Sequence, residues 1–258
     1  MFLQYYVTES ATGNRVNIEI DAVSQADLDA TRNGWQTVWN TDFILDPQKE
    51  KYAAKTEDGE IIALGAYRVR KESVAVYIAY IESQPESNPT LTERKKYSGI
   101  GKAMIAFGIQ LSIDASCNGV VVFEAKTDDL EQHYIHDFGA RPVASLYPDG
   151  LKTFMIADEA AKTSFLLTFS EIEGGSRMKE YSKDLDIVFS PMSDETMSWL
   201  DELFSTCKRF GVDYYNASEK DRVFVEAVAR KNYGLKQASA NGKAASTVEP
   251  FFGIHRAV

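Results

Sequence analysis

Cysteine is scarce in this chain. Cys117 and Cys207 stand far apart, in no CxxC pair and beside no histidine, so there is no basis for a zinc site, an iron–sulfur cluster or a disulfide framework. Both read as small packed or partly exposed thiols. Long apolar runs are missing too: nothing approaches the roughly 18 uninterrupted apolar residues of a membrane span, and no basic-then-apolar leader opens the sequence. A cytoplasmic protein with no membrane partner is the expectation. Positive charge is also short, with 28 Lys and Arg against 38 Asp and Glu for a net charge of −10. That balance disfavours non-specific nucleic-acid binding, which needs cations to neutralise phosphates.

The acidic excess is uneven. Residues 1–173 carry 16 basic and 26 acidic side chains, whereas residues 174–258 carry 12 of each. The change falls at Glu173-Gly174-Gly175-Ser176, a flexible-linker composition. The division expected is a larger domain over 1–172, a linker over 173–180 and a smaller domain over 181–258. At 44% hydrophobic content the 258 residues suffice for a core.

Residues 3–7 and 16–20 read as strands around a Thr12-Gly13-Asn14 turn. Ser24, with Asp27 three places on, caps a helix expected to carry Leu28, Trp35, Val38 and Trp39, although Gly34 weakens it. Residues 51–56 and 61–69 flank Asp58-Gly59, a hairpin signal, and 74–82 is the next strand. A helix with Met104, Ile105, Ile109 and Ile113 follows, then a buried strand at 119–126. A helix over 128–137 ends at Phe138-Gly139, and 151–157 is a further strand. Beyond the linker, Ser193 and Ser218 cap two helices, ending at Gly211 and near Gly234, that form an αα-hairpin. Phe251, Phe252 and Ile254 would be costly to leave in water, so the tail is expected to dock.

The most informative stretch is Lys96-Tyr97-Ser98-Gly99-Ile100-Gly101-Lys102, where two spaced glycines lead into a helix. Glycine lets the backbone approach a ligand closely, and the first N–H groups of a helix have no acceptor within it, so the pair makes a cradle for an anion such as pyrophosphate. A phosphate-binding loop of the nucleotide-hydrolysing kind would need an upstream glycine and a hydroxyl residue after Lys102, where Ala103 stands. A dinucleotide fingerprint belongs early in a parallel unit, whereas this cradle follows an antiparallel hairpin.

From residue 52 to 157 the succession resembles the GCN5-related N-acetyltransferases, whose pyrophosphate signature is Q/R-x-x-G-x-G/A at a helix start. Lys96 occupies the Gln or Arg seat, keeping a cation but losing a planar donor fork. The resemblance covers about the first 165 residues and implies an α/β fold: a mixed, mostly antiparallel sheet flanked by helices, followed here by a small α-helical domain. It implies acetyl-coenzyme A as the cofactor, held by Lys96, Tyr97, Ser98, Gly99, Ile100, Gly101 and Lys102, with residues near Ile81 to Ser83 and Lys126 to Asp129, Thr127 among them, lining a gap between two splayed strands. It further implies direct attack by a primary amine of a small molecule or peptide, with an oxyanion N–H from residues 81–83, and it admits a homodimer.

For the base, Glu82 at the strand end is the candidate, against a solvated strand-end carboxylate. For the acid, the family commonly uses a tyrosine four residues before the glycine that ends the later helix. Counted from Gly139 that place holds Ile135, so Tyr134 is the candidate at an offset of about 100° around the helix. His133 and His136 read as surface residues with no carboxylate partner. Tyr77 and Tyr80, three apart in one strand, are expected on opposite faces. The alternative is a degenerate binding module whose helical C-terminal domain engages another protein.

Overall fold

The computed structural model describes residues 4–39, 41–69, 74–144, 150–166, 189 and 192–240. The expected linker at 173–180 and the aromatic tail at 251–254 lie outside them. The chain divides into two compact units, Met1–Pro142 with Leu151–Met192, and Val143–Gly150 with Ser193–Val258.

The first unit is α/β. Its strands are β1 (Tyr5–Glu9), β2 (Arg15–Ala22), β3 (Glu50–Thr56), β4 (Ile61–Arg68), β5 (Val76–Ser83), β6 (Tyr97–Ser98), β7 (Val121–Ala125), β8 (Arg141–Val143) and β9 (Lys152–Ile156). They form one nine-stranded sheet in the order β6-β1-β2-β3-β4-β5-β7-β9-β8. From β1 to β5 each strand pairs antiparallel with the next, β5 and β7 run parallel, and β7 and β9 are antiparallel. A parallel pair needs a crossover, supplied here by helix α3 (Ile100–Asp114).

Alternation sorts the strand residues onto two faces. One face carries Val7, Ile18, Tyr67, Val76, Ile78, Phe123 and Phe154 against Met104, Ile105 and Ile109 of α3. It is completed by α4 (Asp128–Phe138) and α5 (Asp158–Leu166) through Phe138 and Phe165. The other face is covered by Trp39 and Ile44 packed on Ala53, Leu64 and Ala66, close to α1 (Gln25–Ala30) and α2 (Asp42–Leu45).

Several expectations need correction. The Ser24–Asp27 capping box forms, and Asp27 also pairs with Lys55 at 2.7 Å, but α1 ends at Ala30. Gly34 adopts φ +87°, a left-handed conformation that a helix cannot continue through, so Trp35, Val38 and Trp39 lie on irregular backbone. Trp39 is buried all the same, as the anchor of that segment. Residues 158–166 form α5, which local pattern did not disclose. Tyr97–Ser98 is a strand paired with Thr8 and Glu9, so the glycine cradle hangs from the sheet edge. Both cysteines are buried, which pushes the thiols up, to about 11 for Cys117 and about 12 for Cys207, and leaves them unreactive as nucleophiles.

The second unit contains α6 (Asp194–Phe210) and α7 (Glu219–Ala240). Ser193 caps α6, whose Leu200, Leu203, Phe204 and Cys207 are buried as the apolar stripe requires. Helix α7 does not stop at Gly234 but continues to Ala240, and Phe224 is exposed beside Phe210.

Gly65 on β4 gives a test of packing. A Cβ there would come within 2.6 Å of the Tyr67 ring and 2.7 Å of the Met104 methyl. The ring cannot yield easily, because it is buried and its hydroxyl donates to the Met104 carbonyl at 2.8 Å. Gly65→Ala is expected to lower stability by about 1–3 kcal/mol in urea unfolding.

Candidate active site

The site begins where two strands part. β5 pairs with β7 only at Val76, Tyr77 and Ile78, opposite Val121, Val122 and Phe123, yet β5 continues to Ser83 on β4. The cause is local: Tyr67 pairs with Ile78 and Ala66 with Tyr80, so Ala79 is an extra residue in a β-bulge that bends and twists the strand. Ile81, Glu82 and Ser83 form one bank of the resulting gap. Thr127, just past β7, lies on the other bank, where it caps α4 by accepting from the Leu130 N–H.

The bulge also shifts parity. Ala79 and Tyr80 both pack on the Trp39 face, and Ile81 returns to the α3 face. Tyr77 and Tyr80 therefore share a face, contrary to strict alternation. The Tyr77 hydroxyl donates to Glu124 at 3.3 Å, Tyr80 and Thr37 share a hydrogen bond, and the Lys126 ammonium lies 3.9 Å from the Tyr80 ring centroid.

The two glycines stand at the start of α3. Gly99 is the N-cap of α3 at φ +87°, and a Cβ at Gly99 or Gly101 would meet nothing within 4 Å. The N–H groups of Ile100, Gly101 and Lys102 belong to the first turn of α3, where the helix itself supplies them no acceptor. Ile100 is buried, whereas Ser98 and Lys102 are exposed. The approach is braced by the Lys96 N–H on the Glu86 carbonyl at 2.7 Å and the Tyr97 N–H on the Ser87 hydroxyl at 3.0 Å.

Lys96 does not reach over the cradle. Its ammonium binds both oxygens of Glu60, at 2.6 and 2.8 Å, and the Tyr97 hydroxyl donates to the same carboxylate at 2.9 Å. Glu60 follows the Asp58-Gly59 turn, which carries it to this position. Burial pushes its carboxyl up, but hydrogen bonds from Lys96, Tyr97 and Gln84 outweigh that and hold it below the usual range. The Lys96 ammonium is raised by the hydrogen bond to Glu60.

Glu82 is neither solvated nor free to move. It is buried, and it accepts from the Gln36 N–H at 2.5 Å, the Thr37 N–H at 3.2 Å and the Trp39 indole at 3.0 Å. Its carboxylate is the fastening of the irregular segment that rims the gap. Tyr134 lies on the opposite face, half-buried with its ring 4.7 Å from Phe123, and burial pushes its hydroxyl up. Ile135 also packs into that core. His133, expected without a carboxylate, pairs with Asp137 one turn on at 2.6 Å. Glu60, Gln36, Thr37 and Glu124 escaped sequence reading, because their partners lie more than thirty residues away in the chain. No cluster of metal-ligating side chains occurs among the described residues, and no helix among them is long and apolar enough to cross a membrane.

Two outcomes follow from this geometry. Glu82→Gln turns an amide NH2 toward donors and is expected to cost about 1–3 kcal/mol in urea unfolding, whereas a solvated strand-end carboxylate would cost nothing. The Glu60 pair contributes stability that is complete above the ordinary glutamate value of 4.5 and is lost as pH falls through its lowered folded value. Glu60→Gln should therefore flatten the acid limb of the unfolding midpoint plotted against pH.

No protein-family model matches the chain, and no curated protein matches its sequence. Among solved structures, an acetyltransferase of the GNAT family from Listeria monocytogenes is similar at 16% identity and a TM-score of 0.39, over 58% of this chain and 98% of its own. Nourseothricin acetyltransferase is similar at 14% and 0.38, over 54% and 97%. Spermidine/spermine N-acetyltransferase SpeG from Vibrio cholerae is similar at 12% and 0.38, over 54% and 91%. Likenesses this distant say nothing about residue roles or substrate, which rest on the chain's own geometry.

Proposed function

We propose that this protein transfers an acetyl group from acetyl-coenzyme A to a primary amine of a small molecule or peptide. The observation that carries the reading is the parting of β5 and β7 beside a helix that begins on two glycines open to space. An extended pantetheine arm suits a gap with strand backbone on both banks, and the pyrophosphate suits the N–H groups of Ile100, Gly101 and Lys102. Lys102 supplies a cation at the first turn, and Lys96 could join only by leaving Glu60. When bound, the cofactor supplies an activated acyl carbon.

This chain's residues do the rest. The backbone of Ile81 and Ser83, whose N–H groups point away from β4, offers donors to a developing oxyanion, and Glu82 acts as a positioning residue for the 36–39 rim rather than as a direct base. Tyr134, kept protonated by burial, is the candidate donor to the departing sulfur. The acidic balance of residues 1–173 draws a cationic acceptor. A second reading, a cofactor-binding module without turnover, is favoured by the engagement of Glu82 with three donors.

Calorimetry with coenzyme A and a thiol-release assay over an amine panel separate the two. Gly101→Asp tests the cradle directly: a carboxylate is favourable at a helix N-terminus but opposes a phosphate there. Unfolding should be unchanged while coenzyme A affinity falls about tenfold or more. Wild-type protein that binds no coenzyme A would sink both readings; binding without turnover on any amine leaves the second.

A further inference from the structure

The Lys126 side chain bridges the mouth of the gap. The last residues joining β5 to β7 are Ile78 and Phe123, and Tyr80 and Lys126 come just after them on opposite banks. Phe123 and Ala125 pack on the α3 face, so Glu124 and Lys126 project from the other, where the bulge has also turned Tyr80. The Lys126 ammonium rests 3.9 Å from the Tyr80 centroid, a seat that the ring's electron-rich face provides for a cation. Lys126 is exposed, and a cation–π contact at an exposed site is weak enough to release it. An amine of the protein itself thus occupies the place where an acceptor amine would have to arrive.

We propose that Lys126 is a self-acetylation site, the protein's own acceptor for the acetyl thioester; this rests on the cofactor reading above. The Lys126 ammonium gives one proton to water, and the nitrogen lone pair attacks the thioester carbonyl carbon. A C–N bond forms, the C–S bond breaks with its electron pair going to sulfur, and the second nitrogen proton ends on the thiolate. The products are an Nε-acetyl-lysine and a free thiol, with no oxidant or reductant required. Acetylation removes the charge that would otherwise repel a cationic acceptor from the Tyr80 ring.

The test uses the full chain with acetyl-coenzyme A, followed by intact mass and peptide mapping over time. Lys126 should gain an acetyl group about tenfold or more faster than the exposed Lys220, because it is already positioned at the gap. Coenzyme A alone should protect Lys126, and not Lys220, from an acetylating amine reagent, a readout that needs no transfer by the protein. Tyr80→Leu should slow Lys126 to the general rate, while Tyr80→Phe keeps the seat and the rate. Lys126 reacting no faster than Lys220 in protein shown by calorimetry to bind coenzyme A overturns self-acetylation and leaves the parent reading intact. Protein that binds no coenzyme A overturns both.

Discussion

Three paired positions hold β5 to β7, and the extra residue at Ala79 ends that pairing; most of what is distinctive in the first unit depends on this short junction. Because the two strands run parallel, the chain between them must cross over the sheet, and the crossover is α3 with its glycine start. Gap and cradle are therefore two consequences of one connection. The bulge adds a third, since it turns Tyr80 onto the face that already carries Tyr77, Glu124 and Lys126.

Two carboxylates, one at this opening and one beside the start of α3, are spent on construction. Glu82 fastens residues 36–39 through two backbone N–H groups and the Trp39 indole, in a segment with no regular structure to satisfy its backbone. Such charge-assisted bonds are among the stronger ones available, and they turn an irregular stretch into a fixed rim. Glu60 does the same for the approach to α3, gathering Lys96 and Tyr97 onto one carboxylate. In both places a residue singled out for its chemistry, Glu82 or Lys96, also holds the local shape. Tyr134 and Lys126 stand on opposite faces of the sheet.

How much could be read in advance depended on how local each feature is. The Asp58-Gly59 hairpin, the buried strand at β7, the helix ending at Gly139 and the Ser193 cap are carried by neighbouring residues, and all four appear where periodicity and turn chemistry put them. Helix α1 ends at Ala30, already short of the left-handed Gly34, so the apolar spacing of Trp35, Val38 and Trp39 does not extend it. Helix α5 and the β6 edge strand were hidden because packing and a distant pairing partner, not propensity, stabilise them.

The sequence by itself determined most of the strands and longer helices, the two glycines ahead of α3 and the acidic balance, since each is written in adjacent residues or in simple counts. Only the tertiary structure decided where β5 leaves β7, that Tyr77 and Tyr80 face the same way, that Glu60 claims Lys96, and that Glu82 is buried under three donors. Those facts depend on register and on contacts between residues far apart in the chain, and a one-residue bulge reverses every side chain beyond it. Local pattern carries no information about such a slip.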